Sequence, residues 1–588
     1  MDYNHELEKL IAKHSMRKAS FLNRWSQLDS HDVVAIWGAG EHTRILLDMV
    51  SLCDKNVICI VDNDPQRIGT EIEGLPVYHP SQINELGIDT VVISSFVYAE
   101  AIMQEIQMRF PQLHCLQVYT EYEPNPITDP WKLYYDLQHL NKEYRTANDE
   151  SIKERFLWEL ICAYVEIRDF ELAQEHIALY AQYKFPKADL LLRFKDELNV
   201  LLDQLKSDLQ NRKQKDISLF VIDSLRADDL YDSQELRMPR THGLLEHSLI
   251  YTNVHTTSTY TKAAVNAMLT ERLMIDDELY LERKIDANHS NLLKFLSQER
   301  YLLINFSGAF EFVEVEAARV HNVYRSTRKT KIKKQWPTAT IIWNYFCTLA
   351  NNKDQPIFAL IHSLDVHFPL VCPYHSKFQD LRDASRKFYT EQFYFRDHKE
   401  QILFQRNECL SYIDRKLHDF QQFISSPHIT IICSDHGESL GENQSFGHLF
   451  SKNTSVTHIP LVVHGISRQP QEIGKLFSMK FFGAEIVSLL TGQPAVPAQN
   501  EVMIQRDPIY STEIHVDGFT AFVDPRILQG FKIVRGQADS YVLYDDGSEE
   551  YYSIKDESAN LAADTCYSER IDHLRAIAIK AGFPYKGE

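Results

Sequence analysis

The sequence predicts an α/β protein with two separate parallel sheets and a helical segment between them. Short apolar runs alternate with amphipathic stretches towards both ends of the 588-residue chain, which is typical of buried parallel strands and the helices that cover them. Between these regions, residues 150–212 contain no glycine and one proline, which favours helix. The length itself predicts two or three domains, because one hydrophobic core seldom organises so long a chain.

The first sheet is predicted within residues 1–125. Apolar runs at 33–37, 57–61 and 90–95 have the length and composition of buried strands. Amphipathic sequence separates the first two runs, so they are expected to be parallel neighbours joined by a helix. This pattern predicts a Rossmann-like, doubly wound domain.

A glycine turn follows the first of these strands. Gly38 and Gly40 come directly after it, and Asp62 ends the second strand, where dinucleotide-binding domains place the acid that binds ribose. Thr43 stands in the place of the third glycine of that fingerprint. Gly38, Gly40 and Asp62 are therefore candidate cofactor-binding residues, and a tight strand–helix turn without a ligand explains the glycines equally well.

Residues 126–215 are predicted to form a helical connector. Residues 163–173 resemble one helical hairpin of a tetratricopeptide repeat, and because only one such unit is found, an array of repeats is not predicted. The charged residues 211–216 predict a linker, after which a new strand begins.

The second sheet is predicted within residues 216–588. Apolar strands are expected at 217–222, 357–361 and 429–433, and polar residues follow each of them. Ligands of open α/β sheets bind at the carboxyl ends of the strands, so these polar side chains are expected to converge. They are Asp223 after the first strand, His362–His367 at the second, and Asp435 with His436 after the third.

The same strand ends carry the ligand types of a divalent metal site. Asp435 and His436 are adjacent, so a carboxylate and an imidazole can reach one ion, and Asp223 can supply a third ligand. An Asp-His pair alone is more often a helix cap beside a surface histidine. Its position after an apolar strand, with Gly447 and His448 downstream, favours the metal site.

Several segments together resemble the alkaline phosphatase superfamily, in its branch of sulfatase-like hydrolases and transferases. The segments are Val221–Asp228, Phe358–Pro369, Ser434–Glu442, Phe446–His448 and Gly530–Arg535, with Leu543–Asp545 and Asn560–Ala562 near the end. The resemblance covers residues 217–580 in order. It implies a sulfatase-type α/β catalytic domain over 216–588, of which the last part, from residue 500 to the end, is a small C-terminal subdomain.

The resemblance also implies a nucleophile. In this superfamily the nucleophile lies nine residues before the Thr or Ser of a Leu-Thr-Gly-like motif, and Met268–Thr270 places it at Thr261, although Glu271 stands where glycine is usual. Sulfatases need cysteine, or in some cases serine, at this position for conversion to formylglycine. Threonine is similar to phosphoethanolamine transferases and glycerol-phosphate polymer synthases. The implied chemistry is therefore on phosphate rather than sulfate.

The implied metal ligands are Asp223, Thr261, Asp435 and His436 around one divalent ion, Zn²⁺ with Mn²⁺ and Mg²⁺ as alternatives. Metal coordination lowers the pKa of a threonine hydroxyl and orients it for in-line attack, which would give a covalent phosphothreonine.

Three further residues are candidates for substrate contacts. His367 and His448 are expected to bind the phosphoryl oxygens or to protonate the leaving group, and Lys262 is expected to contact phosphate. Asp365 is a candidate ligand for a second metal, although a structural hydrogen-bonding carboxylate is the simpler interpretation.

Composition limits the partners. The formal charge of -20 argues against binding to nucleic acid. The N-terminus lacks the pattern of a signal peptide, no run approaches the roughly 18 apolar residues of a membrane span, and nine scattered cysteines are typical of reduced thiols. These features predict a cytoplasmic protein. The basic residues 325–334 are expected to be a solvated loop, with contact to the inner face of the membrane as the alternative.

The predicted function is a phosphotransferase. It would take a phosphoethanolamine- or phosphoglycerol-type group from a phospholipid or nucleotide-linked donor and pass it through Thr261 to a glycan or glycan precursor. A phosphodiester or phosphomonoester hydrolase is the first alternative, and an inactive ligand-binding scaffold is an alternative of another class. The N-terminal domain resembles Rossmann-like domains of bacterial polysaccharide-biosynthesis enzymes, which implies either a nucleotide or nucleotide-sugar ligand or a structural role.

Overall fold

In the computed structural model, the described residues form two compact units, 5–198 and 1–4 with 199–581. The basic segment 325–334 lies outside the described residues. The described residues are 1–14, 16, 25, 28–29, 31–40, 43, 46–47, 55–95, 98–117, 132–273, 285–307, 315–316, 337–368, 370, 398–425, 427–448, 451–466, 470–494, 496–497, 499–506 and 524–581.

The N-terminal unit contains a six-stranded sheet. Its strands are β1 (Val34–Trp37), β2 (Val57–Val61), β3 (Glu71–Ile72), β4 (Leu75–Tyr78), β5 (Thr90–Ile93) and β6 (His114–Gln117). They lie in the order β3-β4-β2-β1-β5-β6, and all neighbours are parallel except β3 and β4. The first strand has β2 on one side and β5 on the other, which is the doubly wound arrangement. The predicted N-terminal parallel sheet is confirmed.

This sheet is buried on both faces. Val34 and Ile36 belong to an apolar cluster on one face, and Ala35 and Trp37 belong to a cluster on the other. Two buried faces explain why the strands read as continuous apolar runs rather than as alternating ones.

Helices dominate the rest of the N-terminal half. Those described in full are α1 (Tyr3–Lys13), α2 (Ala99–Arg109), α3 (Lys132–Thr146), α4 (Glu150–Glu166), α5 (Phe170–Gln182) and α6 (Ala188–Gln210). Asp149 and Asp169 cap α4 and α5, because each carboxylate accepts backbone N–H groups of the first helical turn. Two successive helices therefore occupy the region of the predicted hairpin, and its resemblance to a tetratricopeptide unit stays a prediction. The chain passes from one compact unit to the other within α6, and the predicted domain boundaries at 125 and 215 stay predictions.

The second unit is built on an eight-stranded sheet. Its strands, together with those of the smaller sheets, are β7 (Ile217–Ile222), β8 (Ser248–His255), β9 (Ile285–Asp286), β10 (Leu302–Ser307), β11 (Val315–Glu316), β12 (Ile357–Ser363), β13 (Ile429–Cys433), β14 (Ser439–Leu440), β15 (Phe446–Gly447), β16 (His458–His464), β17 (Gln471–Ile473), β18 (Phe477–Ser478), β19 (Val502–Arg506), β20 (Phe531–Arg535), β21 (Asp539–Tyr544) and β22 (Glu549–Ser553).

Four parallel strands form the centre of the large sheet, in the order β10-β12-β7-β13. Beyond them, β16 is antiparallel to both β13 and β8, and β17 and β18 pair with β8. The helices of this unit are α7 (Ala227–Tyr231), α8 (Pro239–His242), α9 (Thr261–Thr270), α10 (Asn291–Gln298), α11 (Thr338–Asn351), α12 (Lys399–Phe423), α13 (Thr454–Thr457), α14 (Phe482–Thr491), α15 (Pro525–Gln529) and α16 (Ser568–Lys580). The predicted mixed α/β class is confirmed.

The predicted small C-terminal subdomain is an antiparallel sheet of order β19-β20-β21-β22. Its apolar face packs against α16, where Ile571 and Leu574 are buried against Val534, Tyr541 and other residues of the sheet. Within the described part of the chain, no helix combines the length and the apolar character that a membrane crossing needs.

Residues 211–216 form no helix or strand and connect α6 to β7, as a linker does. Two of the charges in this linker are not solvated, because the side chains of Arg212 and Asp216 are 7% and 2% exposed and form an ion pair. Asp216 also accepts the backbone N–H of Ile357 at 2.8 Å, and its carbonyl accepts that of Ile429 at 2.8 Å. The segment therefore fixes the start of β7 against the starts of β12 and β13.

Candidate metal centre and nucleophile

Three parallel strands bring the predicted polar residues together. The strands β12, β7 and β13 are neighbours, and Asp223 and Asp435 follow the ends of β7 and β13. The third contribution is His362, near the end of β12. One ligand atom from each of Asp223, His362 and Asp435 lies within 4.8 Å of the others, and all three residues are buried. Strand ends far apart in sequence thus converge as expected.

Thr261 completes this cluster from a separate element. It is the first residue of α9, and its side chain is 7% exposed. Its Oγ1 lies 3.1 Å from His436 Nε2 and 3.4 Å from Asp223 Oδ2. The N-terminus of a ten-residue helix carries partial positive charge, which favours a developing oxyanion or a phosphoryl group at this position.

The tautomer of His436 directs a lone pair into the cluster. Nδ1 lies 3.0 Å from the carbonyl oxygen of Gly437, which can only accept, so Nδ1 carries the proton. Nε2 then faces Asp435 Oδ2 at 3.3 Å and Asp223 Oδ1 at 3.7 Å. A cation at this position would be held by the Nε2 lone pair and by both carboxylates.

Gly437 fixes this histidine by close packing. Its N–H donates to the carbonyl of Val456 at 2.8 Å, and a Cβ at this position would lie 2.2 Å from the carbonyl oxygen of Ser455. A larger residue would therefore displace the backbone that holds His436.

The donor set fits a divalent metal ion. Among the described residues, Asp435 Oδ2 and His362 Nδ1 are buried without a hydrogen-bond partner, and no Lys or Arg forms an ion pair with Asp223 or Asp435. Buried polar atoms normally have partners, so these orphaned atoms mark a site that a cation would complete. Mixed imidazole and carboxylate ligands suit Zn²⁺ and Mn²⁺, and a mainly oxygen set suits Mg²⁺.

The ionisation of the cluster points in the same direction. Burial alone would raise the pKa of Asp223, but His367, His362 and His436 lower this pKa well below its ordinary value. Burial alone would lower the pKa of His436, and the Asp435 and Asp223 carboxylates raise it. The carboxylates therefore stabilise positive charge at the position that a metal ion would take.

A second group of side chains borders the cluster. The ring of His448 stacks on that of His436 with centroids 4.1 Å apart, and it lies 5.3 Å from that of His367. His448 Nδ1 is 3.4 Å from Glu438 Oε2, and both residues are buried. Burial and the neighbouring His436 lower the pKa of His448. For Glu438, burial would raise the pKa, but His448 lowers it.

The remaining predicted residues fall into clear places. Lys262 is half-buried on the first turn of α9. Asp365 is buried and accepts hydrogen bonds from Ser363 Oγ at 2.8 Å and from the Thr338 hydroxyl, which favours a structural carboxylate. Glu271 ends α9 with φ of 60°, the left-handed conformation that glycine adopts most easily, so the turn forms without glycine.

The glycine turn of the N-terminal unit is held by its own side chains. Gly38 has φ of 116°, and a Cβ there would lie 2.9 Å from Ser94 O. The Thr43 hydroxyl donates to Gly38 O, and Asp62 accepts the N–H of Ala39 at 2.5 Å. Thr43 thus closes the turn where the fingerprint has its third glycine.

Beside this turn is a cavity of about 440 Å³. Its lining includes Gly40, Arg67 and Thr70. The Arg67 guanidinium lies 3.5 Å from Asp62 and 3.2 Å from Asp64, so its charge is already paired.

The sequence placed His362 in the polar group His362–His367 that is expected to converge, but it gave neither His362 nor Glu438 a role as a ligand or an acid–base residue. His362 lies one residue before the end of a strand whose seven residues are all buried, so alternation along the sequence does not reveal its face. Glu438 follows the predicted ligands by two residues, and this spacing was the one signal for it in the sequence.

Comparison with known proteins identifies two family matches. Residues 215–492 match the sequence model of the family described as Sulfatase, so this part of the chain is similar to that family. Residues 30–110 match the family model described as C2185-like, N-terminal. A search of curated proteins gave no match.

Solved structures include similar chains at low sequence identity. A phosphonate monoester hydrolase from Silicibacter pomeroyi is 12% identical, with 62% of this chain and 95% of that chain covered and a TM-score of 0.48. A phosphonate monoester hydrolase of Agrobacterium radiobacter is 13% identical, with 62% and 95% covered and a TM-score of 0.43. A 2-O GAG sulfatase is 13% identical, with 63% and 92% covered and a TM-score of 0.46.

Proposed function

We propose that this protein is a metal-dependent phosphotransferase of the alkaline phosphatase superfamily. It would move a phosphoethanolamine- or phosphoglycerol-type group through a covalent intermediate on Thr261 to a glycan or glycan precursor. The observation that carries the proposal is the Thr261 hydroxyl, which lies 3.1 Å from His436 Nε2 and 3.4 Å from Asp223 Oδ2. The match of residues 215–492 to the Sulfatase family supports the superfamily.

The nucleophile favours phosphate over sulfate. The sulfatases that this domain resembles depend on a formylglycine made from cysteine or serine, and this chain has threonine at the corresponding place. A threonine hydroxyl can attack phosphorus directly and form a phosphothreonine ester. A second hydroxyl can then attack the same phosphorus and displace the threonine.

The proposed ligands are Asp223, Thr261, Asp435 and His436, and His362 is close enough to join them or to hold Asp223. A divalent ion there supplies two kinds of chemistry: it lowers the pKa of the Thr261 hydroxyl and stabilises charge on the phosphoryl oxygens. Zn²⁺ is the first candidate, with Mn²⁺ and Mg²⁺ as alternatives.

The transfer takes two displacements at phosphorus. In the first, Thr261 Oγ1, having lost its proton to water, bonds to phosphorus and the bond to the leaving-group oxygen breaks, with a proton passing to that oxygen from an imidazolium. In the second, the acceptor hydroxyl gives its proton to the same imidazole, its oxygen bonds to phosphorus, and Thr261 is released. The candidates for this imidazole are His367 and His448.

Hydrogen bonds orient both histidines for this role. His367 Nδ1 donates to the Phe368 carbonyl, and His448 Nδ1 lies 3.4 Å from Glu438 Oε2. Each ring therefore keeps its Nε2 for substrate. The adjacent Lys262 and the N-terminus of α9 add positive charge on the side of Thr261, where an anionic donor has to approach.

Two alternatives use the same fold. In a hydrolase, water rather than an acceptor hydroxyl displaces Thr261. In an inactive scaffold, the metal ligands would serve no chemistry, and the convergence of Thr261 with Asp223 and His436 speaks against this reading.

We further propose a nucleotide or nucleotide-sugar ligand for the N-terminal unit. Gly40 and Arg67 line its cavity, Asp62 lies beside it, and an arginine suits a diphosphate. Because Asp62 and Arg67 are already paired, a purely structural turn is the alternative. Titration of the full chain with UDP-sugars in a calorimeter tests this, and an absence of heat with every nucleotide tried would favour the structural role.

A cytoplasmic location, with contact to the inner face of the membrane, is part of the same proposal. The donors to test are therefore phosphatidylethanolamine, phosphatidylglycerol and nucleotide-linked phosphoglycerol. Metal-loaded protein is incubated with each donor, and intact mass is measured with and without an oligosaccharide acceptor. We expect the mass of the wild-type protein to increase by the mass of the transferred group. Addition of the acceptor should remove this adduct and give an acceptor that carries the group. Discharge by water alone identifies the hydrolase, and protein that binds no divalent metal supports the scaffold.

A further inference from the structure

Ser224, the residue after Asp223, has an unusual backbone. Its φ is 64°, in the left-handed region that residues other than glycine seldom adopt, and the residue is fully buried. Serine is not among the residues that favour this conformation, so the surrounding structure has to hold it. Such backbone outliers cluster at functional sites.

The side chain of Ser224 joins the two parts of the site. Its Oγ lies 3.1 Å from Asp223 Oδ1 and 3.1 Å from Glu438 Oε2. The same Glu438 oxygen is 3.4 Å from His448 Nδ1. A hydroxyl with one proton thus bridges the carboxylate of a proposed metal ligand and the carboxylate that orients a proposed acid–base histidine.

A buried arginine holds the backbone of Ser224. Arg406, on α12, donates from Nη2 to the Ser224 carbonyl at 2.9 Å. Its two terminal nitrogens also bind Asp229 at 2.9 and 2.7 Å, and the guanidinium is almost fully buried. Asp229 in turn accepts the N–H of Arg226 at 2.9 Å. These bonds close a loop around the turn between β7 and α7.

We propose that Ser224 and Arg406 are positioning residues of the metal centre. Arg406 holds the left-handed turn at Ser224, and this turn places the hydroxyl between Asp223 and Glu438, where its one proton can bond to either carboxylate. Metal affinity and proton transfer then depend on the same turn. The inference rests on the proposed metal-dependent function, and neither residue is expected to touch the substrate.

The test separates the hydroxyl from the backbone. Ser224→Ala removes Oγ but keeps a side chain on a left-handed backbone. Ser224→Gly removes Oγ and also removes this backbone strain, so at least the glycine variant should fold. Ser218→Ala is the matched control, because Ser218 is a buried serine on β7, the strand before the Ser224 turn, and its hydroxyl contacts His428 rather than the metal cluster. The measurement is Zn²⁺ affinity of the full chain by competition with a chromophoric chelator.

We expect both Ser224 variants to bind Zn²⁺ about 10- to 100-fold more weakly than wild type, the range found when partners of metal ligands are removed. Ser218→Ala should bind as wild type does. Arg406→Lys keeps the positive charge but cannot bind Asp229 twice and the Ser224 carbonyl together, so its Zn²⁺ affinity should fall as well. In turnover assays these variants should lose kcat with little change in KM.

Zn²⁺ affinities of both Ser224 variants within twofold of wild type would overturn the inference, whatever their activity. Loss in the alanine variant alone would also overturn it, since strain rather than the hydroxyl would then be the cause. Wild-type protein that binds none of Zn²⁺, Mn²⁺ and Mg²⁺ refutes the proposed function itself, and the inference falls with it. The two failures are therefore distinguishable.

Discussion

Breaking the ion pair between Arg212 and Asp216 should strongly destabilise the second unit, because it would leave one buried group without its partner. The side chains are 7% and 2% exposed. Asp216 Oδ1 accepts from Arg212 Nη2 at 2.8 Å and from the Ile357 N–H at 2.8 Å. Arg212 also donates to the carbonyls of Leu349 at 2.9 Å and Gln355 at 2.6 Å, and to that of Asn352, so it caps the end of α11 as well.

The size of the effect follows from what each substitution leaves behind. Asp216→Ala leaves a buried guanidinium without its counter-ion and the Ile357 N–H without an acceptor. Removing one partner of a buried pair costs about 3–5 kcal/mol, and an unpaired buried N–H costs about 1–3 kcal/mol by itself, although the two terms overlap. We therefore expect the free energy of unfolding of this unit to fall by about 4–5 kcal/mol in Asp216→Ala and by about 3–5 kcal/mol in Arg212→Met.

The double variant gives the sharper test. In the double variant both charges are gone, so neither is left buried without its partner. The free energy of unfolding should therefore fall by at least about 2 kcal/mol less than the sum of the falls in the two single variants. Hydrogen exchange of β7 and β13 across a urea series, followed by mass spectrometry, reports the free energy of opening in this unit. The full chain has two compact units, so a probe that resolves them is needed.

The ion pair between Arg212 and Asp216 should affect the stability of the fold and not the affinity for the metal. Asp223 lies at the opposite end of β7, about 20 Å away at roughly 3.3 Å per residue. Folded Arg212→Met protein should therefore bind Zn²⁺ within twofold of wild type. Losses below about 1 kcal/mol in both single variants, or an additive double variant, would refute the reasoning.

Three further predictions concern the site and its surroundings. Thr261→Ala should abolish the mass adduct and lower kcat by at least about 10³-fold, whereas Thr261→Ser should stay within about tenfold of wild type, and an adduct on the alanine variant would exclude Thr261 as nucleophile. Asp435→Asn should weaken Zn²⁺ binding by about 100-fold or more in chelator competition, with Asp365→Asn as a control that keeps both affinity and stoichiometry; a lower stoichiometry in the control would place a second metal at Asp365. His428 is buried and its pKa is lowered to about 3 by burial and the Arg212 charge, so unfolded chains take up a proton below about pH 6.5 that folded chains do not. Stability should thus fall by about 2 kcal/mol from this residue between pH 6.5 and pH 5, and equal urea midpoint shifts in wild type and His428→Gln would contradict it.

The sequence predicted the strand ends because their signal is local. Residues 217–222 and 429–433 are continuous apolar runs, and Asp223 and Asp435 follow them closely, so the topology of parallel strands was enough to bring the carboxylates together. His362 was placed in the converging group but was not predicted as a ligand, because it lies inside a strand whose residues are all buried. No alternation of polar and apolar residues marks the face to which such a histidine belongs.

Structural features that depend on contacts between residues far apart in the chain were not predicted from the sequence. The left-handed turn at Ser224 requires a hydrogen bond from Arg406, which is 182 residues away. The charged run 211–216 is the predicted linker, but composition alone does not tell that two of its opposite charges pair and become buried. Charge indicates solvent exposure only when the charges have no partners nearby.

The charge balance of the site explains why a metal belongs to the proposed chemistry. Asp223, Asp435 and Glu438 are buried acids whose described ion-pair partners are histidines only, in a chain with a formal charge of -20. The pKa of His448 is lowered, so this ring supplies little positive charge near neutral pH. An anionic phosphodiester would meet net negative charge there, with Lys262 and a helix N-terminus as weak opposition. One divalent ion inverts the local field, so substrate binding, and not only the activation of Thr261, should depend on it.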